Sequence, residues 1–244
     1  MGVGIPVKGV MAALVLAVSA SRAFEALPLQ RQYLALLEPW AKAAMTEIRF
    51  VDKETAVYGL GQAGHWYMQA HDTAFCAFAV LGTDPNTDEA RVGMPRAELR
   101  RVALAMLRFT LRGHVAGGGA CTNGKPCGHT WISSLGLERM SVGIDALEAH
   151  LDDELRTLYA EVCASEADYL LKRPVTAGLT KDNHPESNQW QGNISHRAAV
   201  LNAGHPREAD WRERASVLLV NSMATPSDAT NAAVVDGQAV SARF

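Results

Sequence analysis

Residues 96–111 of the chain, RAELRRVALAMLRFTL, carry the pattern that decides the fold class. Five apolar side chains in this stretch recur at intervals of three and four residues, which is the spacing of one face of an α-helix. They are Leu99, Val102, Ala103, Met106 and Leu107. Because charged residues fill the remaining face, we expect an amphipathic helix that packs on the outside of a core.

The same periodicity extends over most of the chain, and the alternation typical of strands is nearly absent. It predicts seven helices, at 29–48, 65–82, 95–113, 130–149, 152–172, 186–203 and 207–223. Pro185 and Pro206 fall at first-turn positions, where the missing N–H of proline costs nothing. Only the last residues resemble a strand pair, with Asp236-Gly237 as the turn signal. The predicted fold class is therefore all-α.

The predicted helices are of two kinds, which alternate along the chain. The charge-rich ones are 95–113, 152–172 and 207–223, and the charge-poor ones, rich in Ala, Gly and Ser, are 65–82, 130–149 and 186–203. A charged face suits an outer layer, and small residues let inner helices approach closely. The alternation predicts helical hairpins that each pair one inner with one outer helix.

The charge-poor helices also begin alike. GHW at 64–66 recurs as GHTW at 128–131, and the third such helix opens with PESNQW at 185–190. Each start combines polar side chains with a tryptophan. This weak internal repeat supports an array of hairpins.

The composition excludes several classes of protein. Hydrophobic residues make up 48% of the 244 residues, too many for an intrinsically disordered chain. The 23 Lys and Arg are outnumbered by 26 Asp and Glu and form no long basic block, so we expect no nucleic-acid partner.

Residues 1–23 have the pattern of an export signal. Lys8 is followed by the apolar run VMAALVLAVSA at 10–20, and small residues then precede a cleavage site. The run is shorter than the roughly 20 residues that a membrane-spanning helix needs. We expect a mature protein in the periplasm or secreted, with no stable membrane insertion after cleavage. The alternative is an ordinary core helix at the amino terminus.

Two of the four cysteines, Cys121 and Cys127, flank the loop CTNGKPC. In an oxidising compartment they are expected to form a loop-closing disulfide. A zinc site that adds His114 and His129 is the alternative, but its spacing matches no standard zinc motif. We therefore expect no metal and no other cofactor. The remaining cysteines, Cys76 and Cys163, lie in helical stretches and are expected to be small buried hydrophobes.

The polar and aromatic starts of the inner helices suit a carbohydrate site, because aromatic rings stack on sugars while amides and carboxylates bond hydroxyls. The candidates for substrate binding are Trp66, His129, Trp131, Asn188, Trp190 and Arg139. Arg139 is a candidate for neutralising a substrate carboxylate. The plainer alternative makes each tryptophan a core residue and Arg139 a structural ion-pair partner.

Proton transfer has candidates in the same segments, namely His65, Asp72 and Glu186. Asp72 could orient His65 or His71, act itself, or make a purely structural hydrogen bond to a buried histidine. The sequence contains no GxSxG elbow, P-loop, HExxH motif or CxxC pair.

Three segments, GHWYMQAHDTA at 64–74, GHTWISSLGLERM at 128–140 and DNHPESNQWQGN at 182–193, resemble (α/α) toroid proteins with six hairpins. More specifically, the chain resembles, over about residues 30–224, the helical domain of heparinase II/III-type and alginate-type polysaccharide lyases. That resemblance implies that Asn183-His184 neutralises the uronate carboxylate and assists removal of the C5 proton. The family pattern is Asn-Asn-His-Gly where this chain has Asp-Asn-His-Pro, and the partner tyrosine is not identifiable.

The leading hypothesis is an exported polysaccharide lyase that cleaves an acidic, uronic-acid-containing polysaccharide by β-elimination, with His184 or His65 as base and Asn183 and Asn188 at the carboxylate. One alternative is a glycoside hydrolase on the same toroid that uses Asp72 and Glu186. Another is a non-catalytic repeat that binds a glycan or a protein.

The expected organisation is a signal peptide at 1–23, toroid hairpins at 24–224 and a tail with a β-turn at 225–244. At this repeat length the chain accounts for about three to four hairpins. We therefore expect an incomplete toroid from a truncated gene product. The alternative is a self-standing open array of hairpins.

Overall fold

A computed structural model of the chain describes residues 29–173, 185–223, 227–235 and 237–243. It is mostly helical, at 67% helix, which confirms the all-α class. The predicted signal peptide at 1–23 lies outside the described residues, and so do Asn183 and His184.

Eight helices occur in the described part of the chain. They are α1 (Leu29–Ala44), α2 (His65–Thr83), α3 (Glu89–Val92), α4 (Arg96–Gly113), α5 (Ser133–Ala146), α6 (Asp153–Leu171), α7 (Pro185–Leu201) and α8 (Glu208–Met223). Each of the seven predicted helices has a counterpart, and the short α3 was not predicted. It begins at the N-cap Asp88, whose carboxylate accepts from the backbone N–H groups of Ala90 and Arg91.

The prediction that helix 1 continues to residue 48 was wrong. A β-hairpin follows α1 instead, in which β1 (Ile48–Phe50) pairs antiparallel with β2 (Ala56–Tyr58). Its turn is built by Asp52, whose carboxylate accepts from the N–H of Glu54 at 2.7 Å and of Thr55 at 2.8 Å. At the other end of the chain the expected strand pair is present as β3 (Val234–Val235) and β4 (Gln238–Ala239).

The packing of the helices can be described by the two kinds of helix seen in the sequence, the charge-poor and the charge-rich. The charge-poor helices contact one another in order, α2 against α5 and α5 against α7, and the charge-rich α4, α6 and α8 do the same. Contacts between the two sets join α2 to α4, α6 to α7 and α7 to α8. All five members of the apolar stripe on α4 are fully buried, so the face predicted from residues 96–111 is the core face.

Small residues bring α5 close to α2, as predicted for the charge-poor helices. A Cβ added at Gly143 would lie 2.9 Å from the Cα of Cys76, which is closer than real Cβ atoms approach a backbone. Within the described ranges, no helix combines the length and the apolarity that crossing a bilayer requires.

Candidate functional site

The first turns of α2 and α5, together with the loop that joins α4 to α5, line a narrow cleft with a cavity volume of about 60 Å³. Its lining residues are Gly64, Met68, Gln69, Asp72, Thr110, His114, Pro126, Cys127, Gly128, Thr130, Ile132, Ser133 and Leu137. Two of the three predicted inner-helix starts therefore meet at one cavity.

Trp66 and Trp131 are neighbours in sequence of residues that line this cleft. Trp66 lies between the lining residues Gly64 and Met68, and Trp131 separates Thr130 from Ile132. The indole rings meet edge to face with centroids 6.3 Å apart, and the residues are 57% and 44% exposed. The alternative that these two tryptophans are core residues is wrong, because about half of each is open to solvent.

Asp72 is the cleft's buried carboxyl group, with 4% of the residue exposed. Thr110 on α4 donates its hydroxyl hydrogen to Oδ1 over 3.2 Å. Burial raises the pKa of Asp72 to about 7, although the Thr110 bond and the positive charge of Arg139 both oppose that rise. A carboxyl group of this pKa exchanges its proton near neutral pH, as a general acid or base must.

Arg139 is exposed on α5 and lies close enough to Asp72 to lower its pKa. One guanidinium nitrogen, Nη1, lies 3.5 Å from Oε1 of Gln69, and the amide of Gln69 donates to the carbonyl of Ile132 over 3.0 Å. A positive charge that solvent can reach is thus held beside the cleft. Such a guanidinium can bind a ligand carboxylate.

His71 does not bond to Asp72, so the expected histidine–aspartate pair is wrong for this residue. Its Nδ1 accepts the N–H of Tyr58 at 3.1 Å, and its Nε2 lies 3.1 Å from the carbonyl of Met106. Burial lowers the pKa of His71 to about 4. His71 is therefore a neutral histidine that ties β2 to α4. His65 begins α2 at the edge of the same region.

Sequence reasoning missed Glu166, a fully buried carboxylate on α6. It accepts from Nε2 of His114 at 3.0 Å, the backbone N–H of His129 at 2.5 Å, and the hydroxyls of Ser133 at 2.7 Å and Ser134 at 3.4 Å. Burial by itself would raise the pKa of Glu166, but these hydrogen bonds outweigh it and hold the pKa below its ordinary value.

A signal for Glu166 was available in the sequence. It lies four residues after Val162 and four before Leu170, and both of these are buried on the core face of α6. A carboxylate on an apolar helix face requires partners, because burial of an unpaired charge is costly.

The two histidines beside Glu166 are positioned rather than free. Nδ1 of His114 accepts the N–H of Ala116 at 3.1 Å and its Nε2 lies 3.0 Å from Oε1 of Glu166, so both ring nitrogens have partners within the protein. His129 stacks on Tyr169 with centroids 4.9 Å apart, and its Nε2 lies 2.9 Å from the hydroxyl of Ser165.

The third inner-helix start contributes no residue to the cleft lining. Glu186 is exposed and lines a separate groove with Gln189, Asn193 and Leu219, between α7 and α8. Asn188 is buried and Trp190 is half-buried on the same helix. Asp72 and Glu186 therefore line different cavities.

The predicted disulfide is not formed, since the four cysteines are all free thiols. Cys121 belongs to a small apolar cluster with Val57, Met68 and Phe109, and Cys127 packs against that cluster. Cys163 is buried and Cys76 half-buried, as expected of small hydrophobes in helices. No group of three or more His, Cys, Asp or Glu that could hold a metal is gathered among the residues the structure describes.

No family model, curated protein or solved structure matches this chain. Its function must therefore be inferred from the geometry of the cleft.

Proposed function

We propose that the protein is an exported carbohydrate-active enzyme that cleaves a uronic-acid-containing polysaccharide by β-elimination in the cleft between α2 and α5. The observation that carries the proposal is the exposed pair Trp66 and Trp131 beside a cleft that contains the carboxyl group of Asp72. Exposed indole faces stack on sugar rings, and a carboxyl group of pKa about 7 transfers protons at neutral pH.

The chemistry requires a base, an acid and a partner for the uronate carboxylate. In our proposal ionised Asp72 removes the C5 proton, the C4–oxygen bond breaks with formation of a C4–C5 double bond, and the protonated carboxyl returns the proton to the leaving oxygen. Arg139 binds the uronate carboxylate and stabilises the charge that develops on it. His65, Asn183 and His184 are further sequence-derived candidates for these roles.

The finer architecture that we propose is an incomplete (α/α) toroid of about three to four hairpins. It is supported by the order of contacts, in which α2, α5 and α7 form one row and α4, α6 and α8 form another. Trp66 and Asp72 lie on α2, and Trp131 lies just before α5. In a toroid of this kind we expect the substrate site at the starts of the helices in this row.

Hydrolysis by Asp72 and Glu186 has less support, because these carboxyl groups line different cavities. Non-catalytic glycan binding is the second candidate function, and the exposed tryptophan pair favours it by itself. The two candidates differ in one respect, since only the lyase makes an unsaturated product.

The test incubates the full chain with alginate, heparan and ulvan while the ultraviolet absorbance of an unsaturated uronate is recorded. We expect product from at least one polymer, a loss of about a hundredfold or more in Asp72→Asn, and no loss in the exposed control Asp210→Asn. Binding of the polymer is measured in parallel. We expect Trp66→Ala to weaken it about tenfold, and Tyr33→Ala, an exposed aromatic on α1, to leave it unchanged.

If the protein binds a polymer but forms no unsaturated product, the lyase proposal is refuted and glycan binding remains as the function. Neither binding nor product with all three polymers would refute the carbohydrate proposal as a whole.

A further inference from the structure

The third inner helix, α7, begins at the same end of the array as α2 and α5. The first turns of α2 and α5 line one cleft, so these two helices run in the same direction. Asn193 on α7 donates to Oε1 of Glu138 on α5 over 3.5 Å. Further along both helices, Arg197 donates to the two carboxylate oxygens of Asp145 over 2.8 and 2.7 Å. Because these pairs occur in the same order along α5 and α7, α7 runs in this direction as well.

A groove of about 470 Å³ opens at this end, between the start of α7 and the end of α8. Its walls include Glu186, Gln189 and Asn193 on α7 and Leu219, Ser222 and Met223 on α8. Amide and carboxylate groups therefore face apolar groups and a hydroxyl across the groove. A sugar ring presents the same combination, with hydroxyls at its edge and C–H groups on its faces. The volume lies in the range of small-molecule sites, roughly 300–1,000 Å³.

The cleft at Asp72 is much smaller than this groove. Its volume of about 60 Å³ has room for a single substituent or a few water molecules, but not for a pyranose ring. In the proposed reaction the uronate ring therefore lies at the mouth of the cleft, on the exposed Trp66 and Trp131. Packed helix axes lie 8–10 Å apart, so the path from α2 across α5 to α7 is up to about 16–20 Å long. A polymer can reach both sites, whereas a single sugar cannot.

The two sites differ in charge. Arg139 carries a positive charge beside the cleft, where it contacts Gln69. Glu186 is exposed in the groove, and the half-buried Glu138 lies beside it, bonded to Asn193. Within the described part of the chain, the groove lining includes no lysine or arginine. A uronate beside Arg139 is neutralised, whereas a uronate in the groove meets negative charge.

We propose that the groove between α7 and α8 is a second sugar-binding subsite, which takes an uncharged sugar of the same polymer whose uronate lies at the cleft. This inference rests on the proposed function and narrows its substrate to a mixed polymer that contains both uronates and uncharged sugars. Gln189 and Asn193 bond the hydroxyl groups of the uncharged sugar, and Glu186 disfavours a uronate at this position. A polymer made of uronates alone therefore binds more weakly.

The experiment measures the binding of oligosaccharides to the full chain by titration calorimetry at low salt. The probes are a disaccharide and an octasaccharide of hyaluronan, in which glucuronate alternates with uncharged N-acetylglucosamine, and the same lengths of alginate, which is all uronate. We expect the hyaluronan octasaccharide to bind more tightly than the disaccharide. Gln189→Ala should weaken binding of this octasaccharide about fivefold and leave binding of the disaccharide unchanged.

The role of charge is tested by Glu186→Gln. Because the two polymers also differ in linkage, each is compared with itself across the variants. Glu186→Gln should strengthen binding of the alginate octasaccharide about two- to fivefold, lose this gain at high salt, and leave binding of hyaluronan unchanged. Glu161→Gln, which removes an exposed carboxylate from α6, is the control and should bind both polymers as the wild type does.

Three results would overturn the subsite: an affinity that does not depend on length, an unchanged octasaccharide affinity in Gln189→Ala, or an unchanged alginate affinity in Glu186→Gln. If Trp66→Ala still weakens binding in any of these cases, the proposed function survives and only the subsite is refuted. If no oligosaccharide of either polymer binds to the wild type, the carbohydrate function and the subsite fail together.

Discussion

Gly136 on α5 lies directly against the carboxyl group of Asp72 on α2. A Cβ added at position 136 would be 2.3 Å from Oδ2 of Asp72 and 2.8 Å from the amide nitrogen of Gln69. The absence of a side chain at this position is what allows α5 to cover the carboxyl group. The burial that raises the pKa of Asp72 thus depends on a glycine from another helix.

The first prediction concerns Gly136→Ala. In an exposed helix interior this change stabilises by about 0.5–1 kcal/mol, but here the methyl group has no room and we expect a net loss of about 1–3 kcal/mol. Urea unfolding of the variant measures the change. Val142→Ala, at an exposed position of the same helix, is the control and should stay within about 0.5 kcal/mol of the wild type. A more stable Gly136→Ala protein would contradict the close contact.

The second prediction concerns the stability cost of Asp72. Its pKa is about 7 in the folded protein and 3.8 ordinarily, so between those values the unfolded chain releases the proton first and stability falls as pH rises. Asp72→Asn removes the free-energy cost of burying an ionised carboxyl group. The variant should therefore be more stable than the wild type by up to about 4 kcal/mol above pH 7 and should show no gain below about pH 4. Unfolding in urea across this pH range measures the difference. A gain that does not depend on pH would contradict the raised pKa.

The third prediction has the opposite sign and concerns His71. Its pKa falls from 6.5 to about 4 on folding, so the unfolded chain takes up the proton first and stability is lost as pH falls through this window. The expected loss is about 3 kcal/mol in full. Because the Asp72 effect opposes it between these pH values, the measurement is best made in the Asp72→Asn background. In that background, His71→Gln should abolish the dependence of the free energy of unfolding on pH between these values. The exposed control His150→Gln should keep this dependence.

The fourth prediction concerns Glu166. Glu166→Ala leaves the Nε2–H of His114 and the N–H of His129 without their acceptor, and we expect a loss of about 3–5 kcal/mol. Glu166→Gln keeps an oxygen for these donors, and the serine hydroxyls can turn to accept from its amide, so its loss should be only about 1–2 kcal/mol. The exposed Glu161→Ala on the same helix is the control for urea unfolding. Equal losses in the two Glu166 variants would contradict this prediction, because they would show that the negative charge, which both variants lack, matters rather than the oxygen acceptor that glutamine keeps.

Local pattern was sufficient for most of the secondary structure. The apolar stripe of α4 recurs with helical period and is fully buried, because a helix with one apolar face has only one way to remove it from water. The hairpin after α1 escaped prediction because three-residue strands leave no alternation to detect. Its signal was instead the carboxylate of Asp52, which organises the turn.

The candidate site was predictable only in part. Trp66 and Trp131 could be singled out because they occupy equivalent places in a repeat, and they meet in space. Glu186 belongs to the same repeat pattern but lines another groove, because the array places the third helix start elsewhere. Glu166 was overlooked because its four donors come from segments at least 32 residues away.

The sequence by itself determined the all-α class, the positions of seven helices and their division into charge-rich and charge-poor kinds. These depend on periodicity and composition, which are properties of neighbouring residues. Only the tertiary structure decided that Asp72 titrates near neutral pH, that His71 stays neutral and that Cys127 opens to the cleft. A pKa depends on what surrounds a group in space, and Asp72 is surrounded by residues of α4 and α5, distant in the chain.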